Sequence, residues 1–546
     1  MRPSNSRLGG LASLLLTALT ALGLAACAGQ SASYTRFRRA ADTGRVVASR
    51  EVRVADFVNR FAQEDANPAV LDSADATALY VDARVANPHL PREGATALLG
   101  VTMRGVPRTV RASADLVIVV DVSGSMNEDG KIAAVRHALA RMVETLDPAD
   151  RIAIVTFSDD AHEALPFTSV GAARPVILGA VGSLYADGGT NIHAGLSKAV
   201  DLVRRARSSS TRVLFLSDGM ATVGETNHDA ILGAVRELSS RSVPVTTVGV
   251  GDAIDFELLE DLAREHDGAF HFVDQPSEVE RVFATYVRSI NEVSARAVEL
   301  RVAAPEGGRI TRVFDDRAQL EAGGRSARVR VGDFGASDAY VGLYELEIAP
   351  GTRPSSVPIE IRFRTIDGVE QHVVSQAPAF AHDGEGTYAL VDGREPGLYR
   401  AATLGYAAIG LREASRHDER GDAAGAEGWL RSTLVAVEAA QRQLALHDAT
   451  RAATLDEPLA LLRRSHVAVL ARLPANEIHA SAQPASAPPV LVLQPSPQVI
   501  TPAPGASVVP IVPGSPTQAN VTVSVGATPG STNELAPGSA RFAGWR

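Results

Sequence analysis

The stretch "LVIVVDVSGSMNEDGK", residues 116–131, carries five apolar residues into an aspartate and then into two serines around a glycine. Apolar residues without alternation mark a strand buried on both faces, the pattern of a parallel sheet covered by helices. Such a strand ends at the carboxyl edge of its sheet, where ligands collect in folds of this kind. Asp121, Ser123 and Ser125 are thus three oxygen-bearing side chains delivered into one edge loop, with Gly124 letting the backbone turn between them.

Outward from that strand the same alternation continues. Strand-like runs at 116–122, 151–157, 161–167, 212–216, 243–250 and 269–273 are separated by helical patterns at 131–146, 173–184, 192–205, 229–239, 255–265 and 278–290. The run 161–167 reads as a short edge strand. The expectation is an α/β unit over 113–292, a doubly wound, mostly parallel six-stranded sheet. Before it, 33–112 reads as an α+β flanking domain, with helical spacing around Tyr34, Phe37, Val54 and Phe57 and strand-like runs at 78–86 and 97–104. Its arginines read as a solvated helix face rather than a membrane patch. After it, 293–382 alternates without helices and predicts a β-sandwich-like domain. Residues 383–474 are helical, and 475–546 form a Pro/Ala/Ser-rich tail expected to be disordered.

Two other loops of the α/β unit repeat the chemistry of the first. "YADGGTNIHAGL" sets Thr190 after a double glycine, and "VLFLSDGMATVG" sets Asp218 directly after a buried strand. Each residue alone has an ordinary use: Asp and Ser cap helices and make turns, Thr190 could cap the helix near Ile192, and Ser-Asp-Gly is a common turn. Together, in chain order and all at sheet-edge loops, they form a set of hydroxyls and carboxylates without His or Cys. That set suits a hard cation, Mg²⁺ or Mn²⁺. Asp159, Asp160 and Asp187 read as solvated turn residues, and His162 and His193 as surface histidines without ligand partners.

In these residues the chain resembles a von Willebrand factor A domain. Asp121, Ser123 and Ser125 match the DxSxS element of that family's metal-ion-dependent adhesion site, and Thr190 and Asp218 match its two remaining ligand positions. The flanks resemble those of bacterial VWA-domain lipoproteins of the YfbK type, over roughly 33–470 and most firmly over 113–292. Two departures are visible: Gly29-Gln30-Ser31 replaces an acidic run, and Ser217 stands where threonine is common before the aspartate. Neither falls on a ligand position. The resemblance implies a metal held directly by the serines and the threonine, with the aspartates acting largely through water. A cation held by neutral hydroxyls keeps uncompensated charge, so a carboxylate from a partner protein can complete its coordination.

The N-terminus fits this setting. Arg2 and Arg7 precede an apolar stretch at 11–26 that is short for a membrane span and ends in Leu24-Ala25-Ala26-Cys27. That ending resembles the bacterial lipobox, which implies cleavage of 1–26, lipidation of Cys27 and a short linker over 27–32. Cys27 is the single cysteine of 546 residues, which also excludes an internal disulfide framework and CxxC zinc sites. Neither Ala28 nor Gly29, the residues after Cys27, is an aspartate, which leans toward the outer membrane. A net charge of −10 gives nucleic acid no purchase.

The expected function is that of an envelope-anchored lipoprotein that captures a protein ligand through its metal, in adhesion or assembly. A scaffold lipoprotein with a merely stabilising metal is the alternative, and a metal-dependent hydrolase a more distant one. Haloacid-dehalogenase phosphatases need a second aspartate where this chain has Ser123. The serine-hydrolase elbow needs a glycine where this chain has Phe215, and neither HExxH nor a glycine-rich phosphate loop occurs. No catalytic residue is therefore assigned.

Overall fold

The computed structural model describes residues 32–65, 78–92, 94–106, 113–208, 210–336, 338–350, 356–366, 368–377, 380–384, 395–473 and 522–525. The signal peptide, Cys27 and nearly all of the tail read from the sequence lie outside these residues. Among the described residues no helix is long and apolar enough to cross a membrane.

In chain order the strands are β1 (Leu79–Val85), β2 (His89–Pro91), β3 (Ala95–Gly105), β4 (Ala114–Asp121), β5 (Arg151–Phe157), β6 (Ala161–Ser169), β7 (Ser210–Ser217), β8 (Val245–Val250) and β9 (Phe270–Val273). They continue as β10 (Val293–Ala303), β11 (Gly308–Val313), β12 (Gln319–Leu320), β13 (Ser326–Gly335), β14 (Ala339–Ile348), β15 (Val357–Arg364), β16 (Glu370–Ala377), β17 (Ala381–Gly384) and β18 (Thr522–Val525).

The central sheet has the order β6-β5-β4-β7-β8-β9 and is parallel except for the antiparallel edge strand β6. Every residue of β4 is buried. Leu116, Ile118 and Val120 face one core with the helices Lys131–Thr145 and Val279–Asn291, while Val117 and Val119 face a second core with Ile192–Val203 and Phe256–Glu265. The continuous apolar run thus feeds two cores at once, each fully buried side chain contributing about 1.5–3 kcal/mol. The chain leaves β4 toward β5 on one side and later takes up β7 on the other. The topological switch point therefore lies between the carboxyl ends of β4 and β7. The helix expected over 229–239 is two short ones, His228–Ala234 and Arg236–Ser240, broken at Val235, whose φ of −107° and ψ of 5° are non-helical.

The rest of the molecule is built across the boundaries that local patterning suggested. β1 and β3 share an antiparallel sheet with β14 and β11, order β1-β3-β14-β11, and β3 pairs with β14 from Ala95 opposite Ile348 to Arg104 opposite Ala339. A second sheet, β12-β13-β10-β15-β16-β18, faces it across one core that includes Val101, Met103, Leu300 and Ile361. Likewise Tyr34, Phe37 and Phe57 pack into one helical core with Leu398, Trp429 and Leu459. The segments 33–112, 293–382 and 383–474, read separately in the sequence, thus form a joint platform. Strand partners are chosen by edge hydrogen bonding between distant segments, to which a local pattern is blind. Within the tail, Thr522–Val525 departs from the expected disorder by pairing with Gln371–Val374 of β16.

The arginines of the first helix, Ala32–Asp42, are not a solvated face. Arg36 donates to Glu51 at 2.6 Å and lies 4.9 Å over the ring of Phe272 in β9, and Arg39 pairs with Asp252 and Asp274. Helical periodicity gives the polar face but does not distinguish water from a neighbouring acidic surface. The same platform meets the central unit at the amino ends of β7, β8 and β9, around Arg212, Thr246 and His271. At the carboxyl ends of β8 and β9 the first helix makes a further contact, through Arg39 on Asp252 and Asp274.

Candidate metal centre

Three loops meet beyond the carboxyl ends of β4 and β7. The first follows Asp121, the second joins the helices Val170–Gly182 and Ile192–Val203, and the third follows Ser217. Backbone bonds lock the first two together: Gly124 N–H donates to the Gly188 carbonyl at 2.9 Å and Asp187 N–H to the Val122 carbonyl at 2.8 Å. The third is tied to the second by Thr222 N–H on the Thr190 carbonyl at 2.9 Å, and by Thr190 N–H on Thr222 Oγ1 at 2.9 Å. Gly124 does not adopt a left-handed backbone, and a Cβ there would make one contact, 3.4 Å from the Gly188 oxygen. The left-handed backbone falls instead on Asp129 and Gly130, at φ of 51° and 73°.

The sequence-predicted residues gather here. Ser123 Oγ and Ser125 Oγ are 3.1 Å apart, and Ser125 Oγ donates to Asp218 Oδ1 at 2.8 Å. Asp121 accepts from Ser123 N–H at 2.8 Å with one oxygen and from Ser217 Oγ at 2.6 Å with the other. Thr190 is placed through Gly219, where a Cβ would lie 3.9 Å from Thr190 Oγ1. Asp121, Ser123, Thr190 and Asp218 are all buried, and Ser125 is half-buried.

The ordinary uses of these side chains are taken by others. The helix at Ile192 is capped by Asn191, whose side-chain oxygen accepts from Ala194 N–H at 3.0 Å, so Thr190 is not its cap. Ser123 precedes the helical turn Gly124–Gly130 without a side-chain capping bond. Asp159 accepts from Gly189 N–H at 3.0 Å and Asp187 from Gly188 N–H at 2.8 Å, so these two exposed acids brace the second loop rather than merely facing water. His162 is exposed and His193 half-buried.

Two carboxylates buried this close repel each other. Burial lifts the Asp121 carboxyl to about 6, and Asp218 pushes in the same direction against the hydrogen bonds from Ser123 and Ser217. Asp218 has a cationic partner, Lys131 Nζ at 2.8 Å from Oδ2; among the described residues Asp121 is held by hydroxyl and amide donors. An oxygen-rich pocket with unmet negative charge fits a hard divalent ion, and Asp121, Ser123, Ser125, Thr190 and Asp218 are the residues that would hold it. Among the described residues no group of three or more His, Cys, Asp or Glu could hold a metal; the set here is two acids with three hydroxyls.

Two members of this site escape the sequence reading. Ser217, noted only as a departure outside the ligand positions, touches Asp121 directly. Lys131, read as the first residue of a helix, reaches back under the loop to Asp218. A lysine at a helix N-terminus opposes the helix dipole, but its burial and its acid partner are visible only in the fold.

Residues 115–285 match the family model of the von Willebrand factor type A domain. The uncharacterized protein YfbK of Escherichia coli (strain K12) is 30% identical over 193 residues, 35% of this chain and 33% of that one. Inter-alpha-trypsin inhibitor heavy chain H4 of Homo sapiens is 32% identical over 177 residues, 30% of this chain and 18% of that one. The chain therefore spans a third or less of the length of these relatives. Among solved structures, a von Willebrand factor type A protein from Catenulispora acidiphila superposes with a TM-score of 0.52 at 18% identity, covering 72% of this chain and 91% of that one. The six-stranded unit that carries Asp121, Thr190 and Asp218 has the von Willebrand factor type A fold, set on a platform of two further sheets and a helical region.

Proposed function

We propose that this protein is a lipoprotein of the bacterial envelope, anchored through Cys27 outside the cytoplasmic membrane, that binds a protein ligand through a divalent ion at Asp121, Ser123, Ser125, Thr190 and Asp218. The observation that carries the reading is the convergence of hydroxyls and two buried carboxylates at the switch point of the sheet. A bound Mg²⁺ or Mn²⁺ supplies an open coordination position that a carboxylate fills. The residues around it do the rest. Asp121 and Asp218 hold the hydroxyls of Ser123 and Ser125 in register, and the knitted loops keep the pocket shaped. Tyr185 and Met220 stand 72% and 60% exposed on the second and third loops, offering apolar contact beside the metal to a partner that brings an acid. The outer membrane is the proposed anchor site, on the residues after Cys27.

The test is a calorimetric titration of the whole chain with Mg²⁺ and Mn²⁺, paired with capture of envelope proteins with and without EDTA. The expected result is metal binding and EDTA-sensitive capture by the native chain, both lost in Asp121→Ala with its circular dichroism unchanged. Metal-dependent capture that persists in Asp121→Ala, or a native chain with no affinity for either ion, overturns the proposal. Membrane fractionation of Cys27→Ser checks the anchor separately.

A further inference from the structure

Among the described residues Lys131 is the one ammonium in the site, and it is tightly confined. Its Nζ donates to Asp218 Oδ2 at 2.8 Å and reaches the Ser125 carbonyl at 3.4 Å, with the residue only 9% exposed. Its stem runs beneath the loop after β8, where a Cβ on Gly251 would touch Lys131 Cε at 3.6 Å. With Ser125 Oγ on Oδ1 and Lys131 on Oδ2, both oxygens of Asp218 are engaged. Asp218 is therefore already neutralised by a charge that belongs to the protein.

The charge count changes the character of the site. Asp121 and Asp218 bring two negative charges and a divalent ion two positive ones, so without Lys131 the loaded pocket is neutral. With Lys131 it carries one positive charge in excess. Resting on the metal reading above, we infer that Lys131 is a tethered counter-cation: it holds Asp218 when no metal is bound, weakens metal binding by like-charge repulsion, and leaves the loaded site an excess charge that draws a partner's carboxylate. Metal and carboxylate then bind cooperatively, each raising the affinity of the other by the same factor. The open coordination position already links the two ligands, and the excess charge of Lys131 strengthens that link.

The test compares the whole native chain with Lys131→Gln, which keeps a hydrogen-bond donor without charge, and Lys131→Arg, which keeps the charge. Mg²⁺ and Mn²⁺ are titrated calorimetrically with and without acetate as the carboxylate probe, and Tm is recorded with and without metal. Lys131→Gln should bind the ions roughly tenfold more tightly, the order expected when one like charge leaves the neighbourhood of a divalent ion. Lys131→Arg should stay within about twofold of native by the same argument. Acetate should tighten metal binding in the native chain and less in Lys131→Gln. The metal-free Tm of Lys131→Gln should fall and its metal-induced rise should exceed the native one. Native binding with Lys131→Gln no tighter sinks this inference and leaves the metal site standing. No binding by either protein sinks the metal site and this inference with it, whereas binding by Lys131→Gln alone supports both.

Discussion

Ser217 Oγ lies 2.6 Å from Asp121 Oδ2, and both residues are fully buried. A carboxylate that loses a donor in such a place regains no water, so the cost is its desolvation rather than the net worth of one hydrogen bond. Ser217→Ala should lower the unfolding free energy by about 1–3 kcal/mol in urea denaturation. Ser217→Thr, which returns a hydroxyl to the same position, should recover most of that loss. Equal stability of the alanine variant and the native chain would refute the role. Of the candidate site, the five oxygen-bearing residues were legible because each stands where a buried run stops or after a double glycine. Ser217 and Lys131 were not, because a serine inside a strand end and a lysine at a helix start look the same whether they face water or a buried acid. What separates them is a hydrogen bond between loops 96 residues apart in one case and 87 in the other.

The strands of the central sheet were legible as elements because burial on both faces leaves no room for alternation, and β4, β5, β7 and β8 show that directly. The first helix was legible as a helix but not in its docking. Its polar face carries Arg36, clamped between Glu51 at 2.6 Å and the rings of Phe272 and Phe256 at 4.9 and 5.7 Å. Guanidinium stacked on aromatic faces and bonded to a carboxylate holds through packing as well as charge. Arg36→Ala should therefore release Ala32–Asp42 from β9, at a cost of about 1–2 kcal/mol. Amide hydrogen exchange in that helix should speed up several-fold while exchange in β4 stays unchanged. Arg38→Ala is the comparison: Arg38 is more exposed and pairs with Glu457 at 2.9 Å, and its loss should leave the docking on β9 intact. Acceleration of equal size in both variants would show that the helix is held by its apolar face alone.

Across the whole molecule the von Willebrand factor type A unit is an insertion. The platform chain stops after β3 at Gly105 and resumes with β10 at Val293, and Ser294 Oγ donates to the Val106 carbonyl at 2.7 Å, so entry and exit are neighbours. Among the described residues the platform's two cores, helical and sandwich, draw none from 113–292, and the cores of the inserted unit take only Ala32 from outside it. Between the two lies a cavity of about 460 Å³ lined by charged and polar groups, among them Arg212, His271, Asp315 and Arg317, and bridged by Arg212 on Asp333 at 2.7 Å. An interface that polar and hollow transmits little stability, since domains joined this way resemble transient complexes. Replacing 107–292 by a short glycine-serine linker should then leave a platform that melts cooperatively, with strand and helix signals retained, and a Tm within about 5 °C of the platform transition in the whole chain, the scale of a loss near 1 kcal/mol. The complementary fragment 113–292 should fold alone and melt once. A platform that is unfolded or aggregated without its insert would mean that the ion pairs around Arg36, Arg39 and Arg212 are structural keystones. The site would then be coupled to the platform through the loop after β8, where Gly251 lies against Lys131 and Asp252 pairs with Arg39, instead of being carried by it as a separate head.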